Sequence, residues 1–474
     1  MRAAALLATL AACSSASATL EPVIDTPADP ASPGYPWTDL TSVTIEVAHA
    51  GSATNLATKS FARGQAPELP DVPFADDLVV HLSGLRGQGE VAYGRSCAVS
   101  ARPDTALLSP HLYFARIARW AAGASPSSPG RTGGAAYTAP DGSAVILGGD
   151  GETALDRFVT FDGRFEPIGA ATAARKGAVV AALADGSAFV IGGTDAAGPV
   201  AFFELVALPP AATPVQRLDD SRARLVDPAA ATLVDGTVVV IGGRAPKPDG
   251  SLEATGKTWI FRVGDADAPA PPQLLAAVLA TPRGQHTATR LGDEVGADVL
   301  VVGGLDATGQ PVATAELYEP LAEAYADFHP AMVQPRYDHR AARLPDGSIL
   351  IVGGRSRGGA TEASIELYQP RVGQFVTAAT LPANAGVTEM TLTPLPDGRV
   401  LIAGGRDANG VAVATTNIAR LDPIDGKVDL QQTDPLGAPR AGHEAALLCD
   451  GTILVVGGAA AGSERYNPPA VGRR

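Results

Sequence analysis

The strongest pattern in the chain is a short apolar run fenced by turn residues. At Asp346-Gly347-Ser348-Ile349-Leu350-Ile351-Val352-Gly353-Gly354, a turn pair leads into four apolar residues and then a glycine pair. Asp-Gly favours a hairpin turn, because glycine takes positive φ without a Cβ clash and aspartate tolerates the neighbouring position. Four consecutive apolar, mostly β-branched residues read as a strand covered on both faces. The glycine pair ends it where a side chain would obstruct nearby backbone. The unit recurs at Asp141-Gly142 to Gly149, Asp185-Gly186 to Gly193, Asp235-Gly236 to Gly243, Asp397-Gly398 to Gly405 and Asp450-Gly451 to Gly458. A further copy, Val299 to Gly304, keeps the strand and the glycine pair but replaces the turn with a longer loop through Gly292 and Gly296.

The glycine pairs begin at Gly148, Gly192, Gly242, Gly303, Gly353, Gly404 and Gly457, a period near 50 residues. An arginine stands eleven residues before the turn glycine at Arg131, Arg175, Arg336 and Arg440, and a histidine recurs at His286, His339 and His443. Aromatic strands follow at Glu316-Leu317-Tyr318 and Glu366-Leu367-Tyr368, each with a second aromatic seven residues on, Tyr325 and Phe375. Together these motifs resemble the kelch repeat. The resemblance implies one four-stranded blade per repeat, apolar strands innermost around an axis, and a closed ring of blades. It predicts an all-β chain whose residues 112–470 form a seven-bladed kelch-type β-propeller. The last repeat stops soon after Glu464-Arg465-Tyr466, while Leu112-Tyr113 to Trp120 matches Leu367-Tyr368 to Phe375 in type and spacing. Residues 112–121 are therefore expected to supply the missing outer strand and close the ring. The same match also allows Leu112–Arg116 to end the preceding module, with only Ala118–Trp120 joining the blade.

Residues 38–111 lack the repeat. Val43–Val47, Asp77–Leu82 and Glu90–Gly94 read as half-buried strands between Gly, Pro and Asp clusters. A small β-sandwich is expected, resembling the immunoglobulin-like or prealbumin-like modules of exported bacterial proteins. His81 and His111 read as structural. Ahead of this module, Met1 to Ala12 has one basic residue, Arg2, and an apolar Ala/Leu run, the form of an export signal. Leu10-Ala11-Ala12-Cys13 resembles a bacterial lipobox, which implies lipidation of Cys13; the alternative is a non-lipidated signal cut after Ala16-Ser17-Ala18. Ser14 after the cysteine resembles lipoproteins sent to the outer membrane. Residues 13–37 read as a disordered tether. For an exported chain, Cys97 and Cys449 are a disulfide candidate, with two separate buried thiols as the alternative.

Composition narrows function by exclusion. Hydrophobic residues make up 46% of the chain, ample for a core, and the formal net charge is −14. Such acidity disfavours nucleic acid, whose affinity comes from Lys and Arg neutralising phosphate, and likewise a polybasic membrane contact. The repeat histidines fall in different blades and read as structural, each hydrogen-bonding backbone inside its own blade. A copper-radical oxidase resembling galactose oxidase needs two Tyr, two His and a cross-linked Cys, and Tyr337-Asp338-His339 is the one close Tyr/His pair in the repeats. No nucleophile elbow, zincin helix or phosphate loop is visible. The expectation is no cofactor, no metal and no catalysis. After the glycine pairs come Asp150, Asp195, Asp306 and Asp407, read first as Asx turns, and Arg244, Arg355 and Arg406. These loops, with those carrying the repeat arginines, are expected to crowd one face. The longest and most irregular runs from Arg244 through Lys247 to Lys257, the first candidate for contact. The resulting expectation is a non-catalytic binding or adhesion platform for protein or glycan at the bacterial outer membrane or envelope, with a secreted or periplasmic form as runner-up. The alternative function is a sugar-acting oxidase or mutarotase/epimerase with an axial site. A structural envelope protein is the third reading.

Overall fold

The computed structural model describes residues 17–63, 65, 71–104, 107–208, 215–262, 272–458, 460 and 462–469. Apart from two short 3-10 turns these residues are all-β, arranged in many small sheets. Two compact units are present, one built on Pro36–Phe114 with the chain up to Thr26, the other on Ala115–Gly472 with Pro27–Tyr35.

In the first unit, Ser42–His49 pairs antiparallel with both Asn55–Ala62 and Ala75–Arg86, which also pairs with Gly89–Arg95. Ile45, Val47, Leu78, Val80, Leu82 and Ala92 form its core. His81 Nδ1 lies 2.5 Å from Tyr93 Oη, and His111 lies 3.6 Å from Asp25, a carboxylate remote in sequence. The expected tether fails from Ser17 onward. Ser17–Leu20 pairs with Asp71–Pro73 and Leu107–Leu108, and Val23–Asp25 runs parallel to His111–Tyr113. Ala18 and Leu20 alternate into the core, a two-residue pattern that a Ser/Pro-rich composition masks. The signal segment and Cys13 lie outside the described residues, whereas Cys97 and Cys449 are both disulfide-bonded.

The second unit holds seven four-stranded antiparallel sheets among the described residues. Sheet 5 is typical, running in spatial order Arg340–Arg343, Ile349–Val352, Ser364–Gln369, Gln374–Thr380. The first strands of sheets 1 to 4 are Ala135–Thr138, Val179–Ala182, Ala229–Thr232 and Thr287–Arg290; those of sheets 6 and 7 are Thr391–Pro394 and His443–Leu447. Sheet 7 takes its fourth strand from Arg119–Ala122, with Trp120 opposite Tyr466 and their rings 4.9 Å apart. The joining strand is thus shorter than the expected 112–121. Leu112 and Phe114 instead sit in the core of the first unit.

Every second strand of these sheets is fully buried, and the reason is its two-residue alternation. Leu350 and Val352 enter a cluster shared with sheet 6, while Ile349 and Ile351 enter one shared with sheet 4. Burying such a side chain stabilises by roughly 1.5–3 kcal/mol relative to exposure. Seven clusters of this kind each join two consecutive sheets, and one of them joins sheet 7 to sheet 1. The apolar strand, expected to be innermost, is not the one through which successive sheets meet edge to edge. The first strands are the ones that touch each other in succession, including those of sheets 7 and 1. They carry Thr287, Arg340, Thr391 and Glu444. A strand can be wholly apolar only when both faces and both edges are covered, as those of the second strands are.

The glycine pair is a seam between neighbouring sheets. The N–H of the second glycine donates to the carbonyl at the arginine position of the next repeat: Gly149 to Arg175, Gly243 to Arg283, Gly304 to Arg336, Gly405 to Arg440 and Gly458 to Arg131, at 2.7–2.9 Å. A Cβ on Gly303, at φ +65°, would stand 2.5 Å from the Arg336 carbonyl oxygen and 2.7 Å from His339 Cε1. Any side chain there would push two sheets apart.

Candidate functional site

Two residues past the arginine position, the chain turns into the first strand of each sheet. All seven residues there have positive φ: Gly133, Gly177, Asp227, Gln285, Asp338, Glu389 and Gly442, from +51° to +69°. Their backbones are strung together by hydrogen bonds. Gly177 N–H donates to Gly133 O, Gln285 to Asp227 O, Asp338 to Gln285 O, Gly442 to Glu389 O and Gly133 to Gly442 O. The last of these passes from sheet 7 to sheet 1. Glycine suits this left-handed backbone, and other residues pay about 1–2 kcal/mol for it. Yet four consecutive sheets, 3 to 6, keep polar side chains here. They are four of the seven non-glycine residues with positive φ among those described. Strain of this kind concentrates where function over-determines the backbone.

A cation stands beside three of the four. Arg244, Arg355 and Arg406 each follow a glycine pair, and backbone bridges to Val226, Tyr337 and Thr388 hold them next to the strained residues. Arg244 ion-pairs with Asp227, Arg406 Nε lies 3.0 Å from Glu389, and Arg355 Nε is 3.8 Å from Asp338. These pairs are partly exposed and contribute little to stability. Burial raises the pKa of Asp338 and the nearby Asp227 carboxylate raises it further, against Arg355, Arg340 and Arg244. The Gln285 amide has no hydrogen-bond partner among the described residues. The result is a half-buried arc that alternates acceptors, donors and an uncommitted amide.

The first strands continue from this arc. Directly after the histidine position stand Thr287, Arg340, Thr391 and Glu444 on sheets 4 to 7. Thr287 and Thr391 bond the Nε2 atoms of His339 and His443, both at 3.0 Å and both across sheets. The expected bonding within a blade is therefore corrected to bonding between neighbours. Neither ring nitrogen of His286 makes a hydrogen bond. Burial pushes all three histidines down to about 3, so they are neutral. Among the described residues no group of three His, Cys, Asp or Glu could hold a metal ion.

The repeat arginines lie inside the sheets, not on the face expected for them. Arg336 Nη2 is 2.6 Å from Glu366, Arg283 Nη2 is 2.6 Å from Glu316, Arg175 Nε is 2.7 Å from Glu204, and Arg131 pairs with Asp156, all buried. Arg440 pairs with Glu464 in the same way. The Glu366 oxygens also accept the Val333 and Gln334 N–H groups, so the pair is satisfied. Sheets 3 and 6 replace both members together, with Leu225 opposite Trp259 and Val387 opposite Asn417, which leaves no orphaned charge.

Of the residues singled out for binding, Arg244, Arg355 and Arg406 are brought to the arc. Asp195, Asp306 and Asp407 are not; each caps its own turn, accepting the Ala197, Thr308 and Asn409 N–H groups at 2.8–2.9 Å. The loop from Arg244 to Lys257 is not irregular. Arg244–Pro246 and Leu252–Ala254 form a hairpin, because Lys247 to Gly250 closes a turn with Gly250 at φ +83°. Lys247 lies 3.6 Å from Glu253, and Lys257 opens the third strand of sheet 3. Sequence reasoning missed Asp227, Gln285, Asp338 and Glu389 as a set. Their signal was glycine at the same motif position in Gly133, Gly177 and Gly442.

No protein-family model matches the chain, and no curated protein matches it. Among solved structures, one described as the structure of YjhT is similar over 65% of this chain and 99% of its own, at 15% identity and a TM-score of 0.49.

Proposed function

We propose that the seven sheets form a closed, kelch-type, seven-bladed propeller. In this reading the chain is a non-catalytic glycan-binding platform, held at the bacterial envelope by lipid on Cys13. Closure is supported by the cluster shared between sheets 7 and 1 and by the Gly458-to-Arg131 and Gly133-to-Gly442 hydrogen bonds. The observation that carries the binding reading is the arc. Four consecutive sheets keep strained polar side chains where the other three use glycine. Hydroxyl-rich ligands need donors and acceptors in alternation, and Asp227, Arg244, Gln285, Asp338, Arg355, Glu389 and Arg406 supply both. A rigid scaffold presents them with little ordering cost.

The test is a glycan array probed with the full chain, beside a pull-down from envelope extract. A glycan bound by the native chain and lost when Gln285 and Asp338 are both changed to glycine is the expected result. A protein captured instead, with no glycan bound, would replace the ligand class; binding untouched by both substitutions would refute the site. One observation favours a sugar-acting enzyme as a second reading. Glu444, on the first strand of sheet 7, is raised to about 8 by burial and so keeps its proton at neutral pH, as a general acid must. Turnover of a sugar lost in Glu444→Gln would support it.

A further inference from the structure

Sheet 4 departs from its neighbours twice, and the two departures open a cleft against sheet 5. Its first two strands are joined not by an Asp-Gly turn but by the longer loop from Leu291 to Asp298, where sheet 5 uses Leu344 to Ser348. Its fourth strand is only Ala324–Tyr325, against four to seven residues in the other six sheets. The chain leaves the sheet edge early and lays the Phe328 ring on a turn of sheet 5, where a Cβ on Gly373 would stand 2.6 Å from Phe328 Cζ. The cleft has a volume of about 480 Å³, the size of a small-ligand pocket. Leu291, Leu317, Phe328, Tyr368 and Val372 give it apolar and aromatic walls. Leu291, Leu317 and Tyr368 also belong to one packed cluster, which fixes that side of it.

The charges around the cleft are unbalanced. Glu294 and Asp298, from the long loop, both line it, and neither carboxylate has a hydrogen bond or ion pair among the described residues. The nearest cations of the first two strands are used elsewhere, since Arg290 and Arg343 lie 3.1 and 2.8 Å from Asp293. Burial raises the pKa of Asp298, and Glu319 and Glu294 raise it further. Asp298 in turn adds to burial in raising the Tyr368 phenol, so carboxylate and ring share one space. Arg371 is the remaining charged group of the lining, and it is exposed.

We propose that this cleft binds a small organic cation, an ammonium group carried on an apolar or aromatic body. The ammonium donates to the Asp298 and Glu294 carboxylates. The body lies against Phe328 and Tyr368, and aromatic rings of this kind attract cations. A metal ion is the poorer match. Among the described residues no group of three His, Cys, Asp or Glu could hold one, and the aromatic wall offers it no ligand. The site shares no residue with the arc and does not rest on the glycan reading.

Benzylammonium is the probe, titrated into the full chain and read by ligand NMR at about pH 7, where carboxylates are ionised. Benzyl alcohol is the uncharged arm and calcium the inorganic one. Saturable benzylammonium binding is expected, with benzyl alcohol weaker by about tenfold or more. Asp298→Asn and Glu294→Gln should each weaken benzylammonium, and together by about tenfold or more. Arg371→Gln should leave it equal or tighter, and Phe328→Ala should weaken both organic probes. Glu294 is exposed, so its variant tests the charge without disturbing packing, and thermal melts confirm that the others are folded. Absence of benzylammonium binding, equal binding of benzyl alcohol, calcium bound in its place, or binding unchanged in the double carboxylate variant would each overturn the proposal.

Discussion

At the scale of single residues, the chain tolerates charge and strain only where a reason can be named. His286, His339 and His443 are buried and neutral, with pKa values of about 3 against an ordinary 6.5. The unfolded chain binds protons there first, so this contribution to stability is lost as pH falls from 6.5 towards 3. Glu444 has the opposite sign. Its folded pKa of about 8 lies above the ordinary 4.5, so the folded state binds the extra proton and stability falls as pH rises from 4.5 towards 8. Three histidines outweigh one glutamate where the windows overlap. Melting temperature should therefore peak near pH 6.5 and decline on both sides, and Glu444→Gln should flatten the alkaline decline alone. An unchanged alkaline decline would show that another group causes it. His286 yields a sharper case. Its counterparts His339 and His443 bond a threonine on the preceding sheet, but sheet 3 has Ala229 at that position. Ala229→Thr should supply the missing partner and stabilise by about 1 kcal/mol. Denaturant midpoints that stay level or drop would show the ring is satisfied otherwise.

At the scale of elements, the hairpin of first and second strand was legible and the layering was not. Asp346-Gly347 fixed the turn and Ile349–Val352 the buried strand, because both signals are local. The most apolar strand was expected to be innermost, yet successive sheets meet through their first strands. Burial follows coverage of faces and edges, and the sequence pattern registers faces only. The arginine motif was visible too, but its purpose needed the third dimension. Glu366 lies 30 residues beyond Arg336, and only strand register brings the two together. Breaking this buried pair leaves an uncompensated carboxylate, so Arg336→Leu should destabilise by about 3–5 kcal/mol. The double change Arg336→Leu with Glu366→Trp, which copies sheet 3, should recover part of the loss. Equal destabilisation by single and double variants in urea would contradict this account. The strained arc was hidden because no single repeat shows it; Gln285 reads as an ordinary loop residue until it is aligned with Gly133 and Gly442.

At the scale of the whole molecule, the second unit is held by equivalent seams, and the seam at the chain ends is the one that differs. Arg119–Ala122 comes from the other end of the sequence to complete sheet 7. Trp120, 4% exposed, packs on Tyr466 within the cluster shared by sheets 6 and 7. Trp120→Ala should cost about 3–5 kcal/mol and raise hydrogen exchange first in Ser463–Asn467. Exchange rising evenly over all seven sheets would mean that the seam is not a local weak point. The composition could not reveal that residues 17–25 contribute strands to the first unit, since their pairing partners lie 50 and more residues away.

In the proposed binding role, the arc keeps strained side chains at a cost in stability. Gln285 tests it most directly, because its φ of +57° is strained and its amide has no partner to lose. The measurement is the free energy of unfolding of Gln285→Gly against the native chain in urea. A gain of about 1 kcal/mol is predicted, from relief of the left-handed strain less the added chain entropy of glycine. A loss of stability would mean that Gln285 makes structural interactions of its own and that its strained backbone is no sign of a binding role.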